Sequence, residues 1–92
     1  MRIITRNGTD IPYEAVSLDR MGYTKGSFSG IETTQNVLRA TPIYCADGGH
    51  YTVAEYDSKE EVDNTISQIA ILAAKGTKII RMQDSGEIEV VV

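Results

Sequence analysis

Ninety-two residues leave room for one domain, and fractions of 41% hydrophobic and 24% charged residues exclude a disordered chain. The net charge of −4 is uneven: residues 1–46 carry five basic and four acidic side chains, residues 47–92 four and nine. An acidic chain without a basic run excludes duplex nucleic acid as a partner, because phosphate neutralisation supplies most of that affinity.

Arg2–Arg6 reads as a short strand around Ile3 and Ile4. Asn7-Gly8 follows as a hairpin turn in which both positions need φ > 0. The chain is expected to return along Asp10–Leu18, with Pro12 confining this strand to an edge or a bulge because it has no N–H to donate. Residues 21–35, MGYTKGSFSGIETTQ, carry Gly22, Gly26 and Gly30 among Ser and Thr, and form the expected functional loop. Part of that stretch can pair as a strand, or it can order only on binding. Asn36–Cys45 reads as a strand bent near Pro42, residues 46–50 as a turn, and Tyr51–Tyr56 as a strand that closes a second hairpin.

The spacing predicts a helix over about 58–75. Ser58 and Glu61 form a capping box, Asp57, Glu60, Glu61 and Asp63 complement the positive end of the dipole, and Gly76 supplies a left-handed stop. Val62, Ile66, Ile69, Ala70 and Ala73 fall on one stripe facing the sheet, with Ile71 opposite and Leu72 at the flank. Lys78–Met82 and Ile88–Val92 then pair as a third hairpin across Asp84-Ser85-Gly86. The expected fold is therefore α+β over residues 1–92: a small antiparallel sheet of hairpins packed against one amphipathic helix, with a hairpin after it.

The chemistry-bearing residues are few. Cys45 stands alone, so no intrachain disulfide can form, and nothing points to an oxidising compartment. With Asp47 and the only histidine, His50, it makes a C-x-D-x-x-H cluster on one turn, too few ligands for a structural metal and poorly arranged for a Cys–His nucleophile. No phosphate-binding glycine loop or metalloprotease motif occurs, and no cofactor is expected. Arg2, Arg6, Arg20 and Arg39 could surround a phosphate if the strands brought them together. Together with Tyr23, Lys25 and Phe28 of the glycine-rich stretch they form the candidate ligand-binding set, and the tyrosines could stack on a base. Ile71 and the apolar Val90 and Val92 are candidate contacts in a homo-oligomer, since an open apolar edge strand invites pairing with another chain. No apolar run approaches the roughly 20 residues that cross a bilayer, and the reading is cytoplasmic, with no membrane partner.

Two segments together resemble small uncharacterised proteins encoded by phages and prophages of Firmicutes. One is the opening Met1-Arg2-Ile3-Ile4 with Ile11-Pro12-Tyr13-Glu14, similar to an MRII…PYE strand–turn–strand. The other is Ala54-Glu55-Tyr56 leading into the Ser58-capped helix. The stretch from Gly22 to Asn36 departs from that pattern. The resemblance implies a phage-encoded accessory protein, and carries over no catalytic residue. The expected function is non-enzymatic: a stoichiometric antagonist of a host defence system that binds a host protein or sequesters a nucleotide signal. The alternatives are a structural or assembly protein of the particle, bound to other phage proteins, or a small enzyme using Cys45 and His50.

Overall fold

The computed structural model describes residues 1–25, 33–43 and 49–92, with backbone alone at 23–25 and 33–34. The elements run β1 (Arg2–Ile4), β2 (Asp10–Pro12), a 3-10 turn (Tyr13–Ala15), β3 (Val16–Lys25), β4 (Thr33–Pro42), β5 (Tyr51–Tyr56), α1 (Lys59–Ala74), β6 (Ile79–Met82) and β7 (Ile88–Val90). The class is α+β as expected, but the strands divide into two sheets, ordered β2-β1-β6-β7 and β3-β4-β5. Most neighbours are antiparallel; β1 and β6 pair in parallel, with Ile3 beside Ile80.

The division is made at residues 13–15. The strand expected over Asp10–Leu18 stops at Pro12, which sits on an edge strand, and the 3-10 turn redirects the chain into the second sheet. Tyr13 N–H donates to the Met1 carbonyl, and Glu14 takes the N-terminal ammonium, which anchors the turn on β1. Part of the glycine-rich stretch pairs as a strand, as its reading allowed. Residues 21–25 and 33–35 belong to a ten-residue antiparallel pairing in which Gly22 faces Asn36. Its loop-like composition is tolerated because β3 is an edge strand, where Gly, Ser and Thr lose little packing. Phe28 lies outside the described residues.

Two hairpin turns share one geometry. At Thr5–Thr9, Gly8 N–H donates to the Thr5 carbonyl and Thr5 N–H to the Thr9 carbonyl; at Gln83–Glu87, Gly86 N–H donates to Gln83 and Gln83 N–H to Glu87. Each is a type I turn closed by a left-handed glycine, with φ +87° at both Gly8 and Gly86. Only the glycine needs φ > 0, so Asn7 has ordinary backbone, contrary to the two-residue turn expected from the sequence.

The helix follows its sequence signals closely. The Ser58 hydroxyl accepts from Glu61 N–H, and Gly76 follows the end at φ +84°. Val62 and Ile69 are fully buried and Ile66 and Leu72 pack against the core, but Ala70 is exposed and Thr65 takes an inward position, donating its hydroxyl to the Glu61 carbonyl at 2.8 Å. One core joins everything: Ile3, Ile11 and Ile80 from the first sheet, Leu38 and Val53 from the second, and Val62 and Ile69 from α1.

Candidate functional site

Tyr56 ends β5 and is buried, and its hydroxyl donates to the Gly86 carbonyl at 2.8 Å, so the second sheet is latched to the β6–β7 turn of the first. Burial pushes the phenol above its ordinary pKa, which keeps it protonated as a donor. Above this latch a groove of about 510 Å3 opens between α1 and the β6–β7 hairpin. Glu61, Asn64, Thr65 and Gln68 form its helix wall, three and four residues apart; Ser85, Gly86, Glu87 and Ile88 form the other.

The groove carries hydrogen-bonding amides and hydroxyls, and its charged residues are both acidic. It also lies in the half of the chain with excess negative charge. A Lys or Arg side chain is the chemical complement, with Glu61 or Glu87 as ion partner and Asn64 and Gln68 as neutral acceptors. None of these residues was among the sequence candidates. Glu61, Asn64 and Gln68 share a polar helix face at readable spacing, but the opposite wall comes from a distant hairpin. A second, smaller cavity of about 220 Å3 lies at the β2 edge, lined by Ile11, Pro12, Val16, Pro42 and Tyr51 among others.

The four candidate arginines are dispersed onto separate carboxylates. Arg2 Nε donates to Asp10 at 2.8 Å on the β1–β2 pair, and Arg6 reaches Glu55 on β5 at 3.1 Å. Arg20 on β3 lies 3.6 Å from Asp63 of α1. Arg39 grips Asp19 on the neighbouring strand through two bonds of 2.8 and 2.6 Å. This fork holds the Asp19 carboxyl below the usual aspartate range and raises the already high pKa of Arg39. Tyr23 and Lys25 occupy β3 backbone positions near the end of that strand, away from the groove-lining residues in sequence and sheet. Cys45 and Asp47 lie outside the described residues, and His50 is exposed.

Of the expected oligomer contacts, Ile71 is 53% exposed, Val90 54% and Val92 61%. Among the described residues no group of three His, Cys, Asp or Glu is placed to hold a metal, and no helix is long and apolar enough to cross a membrane. No family model, curated protein or solved structure matches the chain.

Proposed function

We propose that this chain acts by binding another protein stoichiometrically, with the groove between α1 and the β6–β7 hairpin receiving a basic segment of that partner. The carrying observation is the lining: Glu61 on the helix wall beside Asn64 and Gln68, Glu87 on the opposite wall, and no cationic residue among the described ones. The resemblance to phage accessory proteins supplies the biological setting, an antagonist of a host defence protein working in the host cytoplasm without turnover. The nucleotide-sequestering form is weaker, because Arg2, Arg6, Arg20 and Arg39 each already hold a carboxylate. Redirecting them to phosphate would first break these four ion pairs.

Affinity capture from host cells, repeated with a Glu61→Gln/Glu87→Gln variant, tests the proposal. The expected result is one host partner at fixed stoichiometry, released by added salt and lost with the variant. A partner retained equally by the variant contradicts the groove. Nucleotide recovered from heat-treated protein, or capture of virion proteins alone, contradicts the function.

A further inference from the structure

Two open sheets have four edges; two of them are closed by identifiable features and a third pairs poorly. The β2 edge carries Pro12, which cannot donate. The β5 edge is capped by the β1–β2 turn, whose Arg6 N–H reaches the Val53 carbonyl at 3.5 Å. On β7, Gln83 N–H bonds Glu87 and Val91 N–H bonds Ile79, so the groups pointing outward belong to Ile88 and Val90. Pairing those residues with a second copy would set Glu89 opposite Glu89, and the Val92 N–H and carbonyl are already turned inward onto Ile79 and Lys78. The exposed valines therefore belong to a poor pairing edge.

The β3 edge differs. Ile43 N–H donates to the Ala15 carbonyl, which fixes the alternation along the β3–β4 ladder. Odd-numbered residues bond to β4, and the amides and carbonyls of Leu18, Arg20, Gly22 and Thr24 point away from it. Among the described residues this edge is the longest, and β3 contains no proline. Beyond Gly22 and Asn36 the ribbon also loses its third strand, since β5 ends against Asn36 at Tyr56. Gln35 and Asn36 partly compensate there, donating side-chain N–H groups to the Tyr56 and Asp57 carbonyls. A two-stranded ribbon is marginal without further pairing.

We infer that β3 is the interface with a second copy of this chain, paired antiparallel about a two-fold axis at Gly22. Registers centred on Asp19 or Arg20 would oppose like charges. The Gly22 register puts Arg20 opposite Thr24 and position 19, an Asp, opposite position 25, a Lys. It also gives the ribbon beyond Gly22 a third and a fourth strand. The helix favours the same partner. The Arg20–Asp63 ion pair shows which flank of α1 overhangs β3, and Ser67, Ala70 and Ala74 continue that flank at helical spacing, all exposed. Small residues on both copies permit two such helices to approach across the seam. The groove lies on another face of α1, so dimerisation and partner binding do not compete.

The test uses the full chain with Cys45→Ala to remove the native thiol. Light scattering at micromolar concentration is expected to give twice the 10.1 kDa chain mass. Under mild oxidation a Gly22→Cys variant should form an inter-copy disulfide, because hydrogen-bonded partners lie about 5.5 Å apart between Cα atoms. Among the described residues a Cβ at Gly22 meets only Asn36 Oδ1, at an ordinary 3.8 Å. Asn7→Cys, in the exposed β1–β2 turn, should remain uncrosslinked. Ala70→Glu, at an exposed site that leaves the monomer intact, should abolish the dimer, as should Gly22→Pro. A monomeric mass for the parent chain, a dimer that survives Ala70→Glu, or crosslinking through Val90→Cys in preference to Gly22→Cys overturns the inference.

Discussion

Replacing Gly86 by alanine tests the latch between the two sheets, because the molecule contains its own control. Gly8 and Gly86 occupy the same turn geometry at the same φ of +87°. An added methyl at Gly8 meets nothing within 4 Å, whereas at Gly86 it would lie 2.5 Å from Tyr56 Cε1 and 3.1 Å from Cδ1. Both substitutions incur the left-handed backbone penalty of about 1 kcal/mol. Only Gly86→Ala must also displace a buried ring held by its hydroxyl, which adds about 1–3 kcal/mol of overpacking. The expected costs are thus about 1 kcal/mol for Gly8→Ala and about 2–4 kcal/mol for Gly86→Ala. In a domain of this size each kcal/mol lowers Tm by roughly 4–8 °C. Denaturant unfolding of both variants measures the difference directly. In a Tyr56→Leu background, where the ring is gone, the excess at Gly86 should largely vanish. Equal destabilisation by the two alanines, or an excess that survives without the ring, would refute the reasoning.

Three further outcomes follow from the same contacts. Ser58→Ala removes the acceptor of Glu61 N–H and should cost about 1 kcal/mol in thermal or denaturant unfolding, with Ser58→Asp restoring most of it. Asp19→Asn should lower stability at neutral pH by up to about 1 kcal/mol, since the Asp19–Arg39 pair is only partly buried and solvent screens it. Because the folded Asp19 pKa is depressed, its contribution is present above the unfolded value of about 3.9 and is lost as pH falls through the folded value. The Tm gap between parent and variant should therefore hold from neutral pH to about 4 and close below it; a gap that widens on acidification would contradict the pair's role. Glu61→Gln/Glu87→Gln should lower Tm by no more than about 4 °C, since both carboxylates are exposed and Glu61 adds only a first-turn charge to the helix. A large loss of stability would mean that these groups hold the fold together.

What the sequence disclosed was local. Ser58, Glu61 and Gly76 mark a helix by chemistry that acts within a turn, and the strand expected over Tyr51–Tyr56 matches β5 in both of its bounds. Ala70 left the expected stripe and Thr65 took an inward place, because α1 packs chiefly on β3, β4 and β5 and that sheet, not the apolar count, sets which side turns in. The length of the β3–β4 ribbon was only half legible: Gly, Ser and Thr favour a loop, strand pairing was one option for part of the stretch, and the cross-strand register decides for residues 21–25 and 33–35. The parallel contact of β1 with β6 joins residues about as far apart as the chain permits, which no periodicity announces. The arginines failed as a cluster for the same reason, since Glu55 and Asp63 are brought to Arg6 and Arg20 by tertiary folding alone. The groove was half visible, in the polar spacing of Glu61, Asn64 and Gln68, but its second wall was not.

The central claim is that recognition of a protein partner takes place in that groove. A photoreactive residue introduced at Gln68, on the helix wall, tests it most directly when illuminated in host cells beside the same residue at position 7. A single dominant adduct is expected from position 68, diminished by Glu61→Gln/Glu87→Gln, and none from position 7. Equal labelling from both positions, or an adduct indifferent to the two carboxylates, would contradict it.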